Sequence, residues 1–162
     1  MKLYRATPRG FTFIEILVVV AIIAILATAG LAVYQEARKK SHDTQRTSDI
    51  SQLQVALRVY RDASGLGFPT YAGGELIGDG VNLDATLAPY LAGQIRDPLY
   101  GSSGYAYYYD SDYSCGGTSH TILVALTVEQ AANKNWSAVC GGTDEIISGV
   151  TPSANSYVVI LK

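Results

Sequence analysis

Residues 11–33 read FTFIEILVVVAIIAILATAGLAV, and this stretch decides how the chain is organised. Apart from Glu15, only two threonines and one glycine interrupt its apolar character. About 20 predominantly apolar residues are enough for a helix to span a bilayer. A carboxylate inside such a helix costs at least about 2.5 kcal/mol on insertion scales. Glu15 therefore calls for a functional explanation and for a partner that neutralises it.

A short basic leader that ends in glycine precedes this stretch. Its three basic residues are Lys2, Arg5 and Arg9. Cleavage after Gly10 would turn the backbone nitrogen of Phe11 into a positively charged α-amine. A buried amine of one chain and the buried Glu15 of a neighbouring chain would then neutralise each other, which gives the carboxylate the partner that it needs.

Residues 10–27 resemble the N-terminal signature of class III prepilins, the family of type IV pilins and of the pseudopilins of type II secretion. The basic leader, Gly-Phe-Thr, the glutamate and the apolar run all fall at the family's spacing, while Phe13 stands where leucine is usual. The resemblance implies that a prepilin peptidase cuts between Gly10 and Phe11. It also implies that Phe11 is N-methylated and that Glu15 acts in filament assembly.

The same resemblance implies a structural subunit of a type IV pilus-like helical filament, with a major pseudopilin (G-type) of a type II secretion system as the alternative. The implied partners are further copies of the chain, minor pilins or pseudopilins, the prepilin peptidase and an inner-membrane assembly platform. Before assembly, the chain would be a single-pass inner-membrane protein with its C-terminal domain outside the cytoplasm. The filament would be extracellular or periplasmic.

Two plainer interpretations compete for the apolar stretch. A secretory signal peptide would use residues 27–29, Ala-Thr-Ala, as its cleavage site, but Glu15 interrupts the apolar region and the run is longer than such a peptide needs. A simple membrane anchor, of an enzyme or a receptor, explains the length of the run. It leaves Glu15 and the glycine-terminated leader unexplained.

An amphipathic pattern continues from the apolar run. Apolar residues recur at helical spacing at Ile50, Leu53, Leu57 and Tyr60, and Gly65 follows as a helix stop. The pattern predicts one helix from near Phe11 to near Ala63. Four segments follow, namely a prepilin leader (1–10), a transmembrane or filament-core helix (11–35), an amphipathic helix (36–64) and an extracytoplasmic pilin-like head (65–162).

The head is predicted to be small and α+β. Three segments are rich in β-branched and aromatic residues and are bounded by turn residues, namely 105–109, 121–127 and 157–161. They predict about three antiparallel strands packed on the amphipathic half of the helix. A short helix or turn is expected at residues 84–91, and a helical turn at residues 130–136.

The middle of the chain also resembles G-type major pseudopilins. The similar segments are residues 49–62, 67–70, 87–91, 96–98 and 105–109. Such pseudopilins carry calcium in a C-terminal loop. The nearest candidate here is residues 110–114, with oxygen ligands at alternate positions, but Cys115 replaces the glycine that a calcium loop needs. A solvated acidic turn without a cofactor or metal is therefore predicted, with calcium as the alternative.

The two cysteines, Cys115 and Cys140, both fall in the predicted head. Their spacing fits neither a CxxC redox pair nor a four-ligand zinc site. Outside the cytoplasm a disulfide between them is expected. It would close a loop of about 25 residues and contribute about 3 kcal/mol in the chain-entropy model. Two free buried thiols are the alternative.

Charge and motif content argue against a nucleic-acid binder or an enzyme. Three of the 12 basic residues lie in the leader, so 9 face 14 acidic residues in the rest of the chain, a net charge of −5 with neutral histidines. Phosphate binding needs a positive surface. The basic residues 38–40 more simply mark the end of the membrane segment. Neither His42 nor His120 lies in a nucleophile or zinc motif.

Overall fold

The computed structural model of the chain describes residues 10–71, 73–115, 118–135 and 155–162, and it has the predicted α+β architecture. The elements are α1 (Phe13–Ser64), β1 (Glu75–Ile77), α2 (Leu83–Leu87), β2 (Tyr107–Cys115), β3 (Thr118–Ala125) and β4 (Tyr157–Leu161). Short 3-10 turns occupy Ala88–Tyr90 and Ala131–Asn133. The four strands form one antiparallel sheet in the order β1-β2-β3-β4.

The chain divides into two compact units, Met1–Arg38 and Lys39–Lys162. In the described part of the first unit, the large apolar side chains from Phe11 to Leu31 are between 50% and 84% exposed. This part of α1 is long and apolar enough to cross a membrane. Its apolar surface requires lipid or other protein chains to cover it, because exposing such surface to water is unfavourable.

In the second unit, α1 packs one face against the sheet. The predicted stripe is confirmed, since Ile50, Leu53 and Leu57 are at most 1% exposed and contact the buried rings of Tyr107 and Tyr109. Burying each of these aliphatic side chains contributes about 1.5–3 kcal/mol. The opposite face of this part of α1 is exposed, and it includes Val55 and Val59.

The helix ends where the sequence predicts. Gly65 has φ 68, a left-handed conformation that costs glycine little, and its N–H donates to the carbonyl of Arg61 at 3.0 Å. The predicted short helix at residues 84–91 is present as α2 and the 3-10 turn after it. The predicted helical turn at residues 130–136 corresponds to the 3-10 turn Ala131–Asn133.

The sheet buries both of its faces. Tyr107, Tyr109 and Leu123 face α1, while Tyr108 and Val124 belong to a second cluster on the other face. Side chains of successive strand residues point to opposite faces, so the run of tyrosines in β2 supplies both clusters. The composition of residues 105–109 therefore indicates a strand with two buried faces.

One strand of the sheet was missed from sequence, and one expectation about the sheet was wrong. The strand β1 was not predicted, because three residues are too short to show an alternating pattern. Residues 110–114 do not form a solvated acidic turn, because they lie inside β2. A bulge between Asp110 and Tyr113 places one extra residue opposite β3, so a polar stretch remains within the strand.

Candidate functional site

The first turn of α1 contains a capping box built from Thr12 and Glu15. The Thr12 Oγ1 accepts a hydrogen bond from the Glu15 backbone N–H at 3.3 Å. In return, Glu15 Oε2 accepts from the Thr12 backbone N–H at 2.8 Å and from its hydroxyl at 2.9 Å. A helix begins with unpaired N–H groups, and this reciprocal arrangement satisfies two of them. The pattern Thr-x-x-Glu was the available sequence signal for it, although Thr12 was not singled out.

The capping box uses only one carboxylate oxygen of Glu15. Within the described residues, every hydrogen bond of this side chain goes to Oε2, and Oε1 has none. The positive end of the helix dipole favours a negative charge at this position. The carboxylate is thus held in place by its own chain, while its second oxygen remains able to accept from another donor.

The predicted cleavage point lies directly before this capped turn. Gly10 is exposed, and residues 10–12 precede the first residue of the helix. Phe11 is 84% exposed. The peptide bond between Gly10 and Phe11 therefore lies in irregular backbone, where a peptidase has better access than in a hydrogen-bonded helix. The rest of the leader, residues 1–9, lies outside the described residues.

A buried charge cluster that joins α1 to the head was not predicted from sequence. The Arg46 side chain is fully buried and binds Asp97 through Nε at 2.7 Å and Nη2 at 3.1 Å. Its Nη1 binds Asp43 at 2.7 Å and Glu129 at 3.2 Å. The guanidinium also lies 4.9 Å from the centre of the Tyr105 ring. The spacing of Asp43 and Arg46 on α1 hinted at a pair, but the other two carboxylates come from distant segments.

The environment of each group explains how the cluster keeps its charges. Burial by itself raises the pKa of Asp43, but donors from Glu129, Gln130, Asn133 and Arg46 outweigh it and hold this pKa below its ordinary value. Burial disfavours the charged form of Arg46, but its bonds and attraction to Asp97, with those to the other two carboxylates, raise its pKa. The guanidinium and Asp43 thus remain ionised.

The pKa values of two further carboxyl groups, Asp49 and Asp110, are raised. Burial raises the pKa of Asp49, and the nearby charge of Asp97 adds to this, against the opposing hydrogen bond from Tyr107 Oη at 2.9 Å. Burial likewise raises the pKa of Asp110 to about 6, although the backbone N–H of Asp112 donates to it at 3.0 Å. Both groups take up a proton more readily than an exposed aspartate.

The remaining sequence predictions have separate outcomes. Cys140 lies outside the described residues, and only the backbone of Cys115 is described, so the disulfide stays a prediction. In the part of the chain that the structure describes, no group of three or more histidine, cysteine, aspartate or glutamate side chains could hold a metal ion. Asn135, the first residue of an Asn-Trp-Ser pattern, pairs through its amide with the backbone of Val158 at 2.6 and 2.8 Å.

A family model and two curated proteins match parts of this chain. Residues 5–31 match the family model described as the prokaryotic N-terminal methylation motif. The type IV pilin family signature is therefore present in this chain. Two curated proteins from Pseudomonas aeruginosa, each named "Fimbrial protein", are 42% identical to it over 48 residues.

The similarity to these fimbrial proteins is limited in extent. It covers 30% of this chain and 31% of each relative, so the chain matches only about a third of their length. No solved structure matches the chain significantly. The methylation motif, residues 5–31, overlaps the part of α1 that is long and apolar enough to cross a membrane.

Proposed function

We propose that this chain is the structural subunit of a type IV pilus-like helical filament and is made as a membrane-anchored prepilin. One observation carries the proposal. An exposed Gly10 lies three residues before a long apolar helix with Glu15 in its first turn, and this region matches the N-terminal methylation motif. Cleavage between Gly10 and Phe11 and methylation of the Phe11 nitrogen are the processing steps that this arrangement requires.

Glu15 then acts as the register element of assembly. After cleavage, the Phe11 amine is a cation at the start of an apolar helix, and burial without a partner would be costly. The unused Oε1 of Glu15 accepts from the Phe11 amine of a neighbouring subunit, while Oε2 keeps the capping bonds to Thr12. Subunits therefore dock only at the axial offset that brings amine and carboxylate together.

The proposed segments divide the work along the chain. The leader, residues 1–10, stays in the cytoplasm until the prepilin peptidase removes it, and residues 11–35 leave the bilayer for the filament core. Residues 36–64 carry the head, residues 65–162, outside the cytoplasm. The exposed apolar surface of the first part of α1 supports this proposal. A bundle of these segments, residues 11–35 of each subunit and here called the stems, covers that surface when the lipid is removed. The assembly platform of the inner membrane and minor pilins are the remaining partners.

Mass spectrometry of native cells tests the proposal. Surface filaments are sheared, and the sheared and membrane fractions are searched for this chain. An abundant chain that begins at N-methylated Phe11 in the sheared fraction supports a pilus subunit. A processed chain confined to the membrane fraction supports the alternative, a pseudopilin of a type II secretion system. A chain that keeps its leader in both fractions contradicts the processing step, and a Gly10→Val variant provides the unprocessed reference.

A further inference from the structure

The side-chain amide of Asn135 pairs with the backbone of β4. Its Oδ1 accepts a hydrogen bond from the Val158 N–H at 2.6 Å, and its Nδ2 donates to the Val158 carbonyl oxygen at 2.8 Å. The backbone N–H of Asn135 donates to the carbonyl oxygen of Ser156, the residue before β4, at 3.1 Å. Asn135 therefore contacts two alternate positions along one side of the strand.

The register of β4 shows which side this is. Val158 lies opposite Val124 of β3. In an antiparallel pair, the backbone groups of successive residues point alternately towards the partner strand and away from it. Because the N–H and carbonyl of Val158 bond to Asn135, they point away from β3, and Ile160 is the next residue of β4 with this orientation. Asn135 thus occupies the edge of β4 that a further strand would use.

The burial of Val158 explains why this edge needs a partner with both a donor and an acceptor. Val158 is 2% exposed, and its side chain belongs to the second cluster with Tyr108 and Val124. Buried backbone N–H and carbonyl groups are costly when they lack hydrogen bonds. An asparagine amide offers one acceptor and two donors, so it can satisfy both groups of a single residue.

The sequence of β4 favours pairing with another chain. Residues 157–161 read YVVIL, without a charge or a proline. An edge strand of this composition is a template for strands of other molecules. The matching occupant is β4 of a second copy, because a two-fold contact uses the same surface on both molecules and antiparallel pairing has this symmetry.

The amide of Asn135 also belongs to a glycosylation pattern, Asn135-Trp136-Ser137. A substituted amide is almost always trans, so the sugar of a glycosylated asparagine lies on the Oδ1 side of Nδ2. An amide that bonds to one residue through both Oδ1 and Nδ2 uses the hydrogen on that same side. The pairing with Val158 and a glycan on Asn135 therefore exclude each other.

We propose that Asn135 is an edge cap, a side chain that occupies the outer edge of β4 and keeps a second copy of this chain from adding its own β4 there. For the same reason, Asn135 carries no glycan in the folded head. The edge cap acts within the head and does not depend on cleavage or on filament assembly.

Hydrogen exchange of the full chain in detergent micelles tests the contact. Asn135→Ala should raise the exchange rate of the Val158 amide by about fivefold, the effect of one lost hydrogen bond. The Val159 amide, which faces β3, should stay protected and shows that the sheet is folded. Ser137→Ala removes the glycosylation pattern but keeps Asn135, and it should exchange like the unmodified chain. Equal Val158 exchange in Asn135→Ala and the unmodified chain would overturn the edge cap.

Light scattering of the same samples tests the consequence for association. Asn135→Ala should form dimers at concentrations at which the unmodified chain has one copy per micelle, and this reference accounts for any association through the stems. Asn135→Asp should remain monomeric, because a charge at a strand edge opposes pairing. An Asn135→Ala chain that stays monomeric, or an Asn135→Asp chain that dimerises equally, would contradict the blocked edge.

Peptide mapping of the native chain needs no variant. The peptide that contains Asn135 should have its unmodified mass. A glycan on Asn135 in folded native material, lost in both Asn135→Ala and Ser137→Ala, would overturn the proposal and make this residue a modification site.

Discussion

The two parts of α1 differ in where their side chains find partners. In the described part before residue 38, apolar residues occupy every face of the helix and remain exposed. After residue 39, one apolar face is buried against the sheet together with a fully buried arginine. The first part of this helix is apolar on all faces, and the second part is amphipathic. The pattern of apolar residues, and not helical propensity, distinguishes the two parts.

The largest expected effect comes from removing Glu15, the only charged residue in the apolar run of residues 11–33. Glu15→Leu should leave membrane insertion and cleavage intact, since it removes a charge from an apolar run. Filament yield should fall by at least about tenfold, because the Phe11 amine then lacks a partner in the filament core. The measurement is the fraction of processed chain in sheared filaments, with mass spectrometry as the check on cleavage.

A matched control variant tests whether filament yield depends on the position of the carboxylate in the helix. Glu36→Gln removes a carboxylate from the same helix beyond the apolar run, and filament yield should be close to normal. If Glu15→Leu assembled normally, the register argument would be wrong, and the amine would have to be neutralised by another group.

The second effect concerns the part of α1 after residue 39, which packs against the sheet. Arg46→Met should lower the free energy of unfolding by about 3–5 kcal/mol, because three buried carboxylates lose their common cation. Denaturant unfolding of the full chain in detergent, followed by tyrosine fluorescence, measures this loss. Arg58→Met on the exposed face of α1 is the control, and a loss within 1 kcal/mol is expected there. Similar losses for the two variants would contradict the role of the cluster.

Sequence patterns predicted the two parts of the molecule unequally. The long apolar helix was predicted, because its apolar run is a local feature, whereas the leader and the role of Glu15 remain predictions. The helix stop at Gly65 was equally local. The Arg46 cluster was missed because Asp97 and Glu129 are 51 and 83 residues away along the chain. The bulge at Asp110 was missed because acidic residues are typical of turns, and only the pairing with β3 keeps them in a strand.

The third effect tests the burial of Asp110, at the bulge in β2, through the pH dependence of stability. A carboxyl group whose pKa is raised in the folded state stabilises the fold below its unfolded pKa, and this contribution is lost as pH rises through the folded pKa. For Asp110, with a folded pKa of about 6, stability should therefore fall as the pH rises from about 4 to about 6. Asp110→Asn should remove this dependence and raise the free energy of unfolding at neutral pH by about 1–3 kcal/mol.

The measurement is the thermal midpoint of the full chain in detergent between about pH 4 and pH 8. Asp62→Asn, on the exposed side of α1, serves as the control and should follow the unmodified chain. A pH profile for Asp110→Asn identical to that of the unmodified chain would contradict the burial of this carboxylate.

The fourth effect tests how tightly the loops of the head are packed. Gly78 has φ 101, and an added Cβ would lie 2.7 Å from Arg96 Cγ and 3.0 Å from the Ile95 carbonyl oxygen. Gly78→Ala should cost about 1–3 kcal/mol, from a disfavoured backbone conformation and the displaced arginine. Gly93→Ala has no atom within 4 Å of its new Cβ, and the midpoint of denaturant unfolding should hardly change. Equal midpoints for the two variants would contradict the packing of Gly78 on the Ile95–Arg96 backbone.

The smallest expected effect tests whether the first turn of α1 depends on the capping box of Thr12 and Glu15. Thr12→Ala removes the hydroxyl that caps the Glu15 N–H, and the loss of such a cap costs about 1 kcal/mol. Because no tertiary contact in the described stem compensates, the loss should appear locally, as about fivefold faster hydrogen exchange of the amides of Ile14 and Glu15. Thr12→Ser keeps the hydroxyl and should exchange like the unmodified chain. Unchanged exchange in Thr12→Ala would mean that the surrounding detergent or lipid, and not the capping box, fixes the first turn, and Glu15 would then be free to turn both oxygens towards a neighbouring subunit.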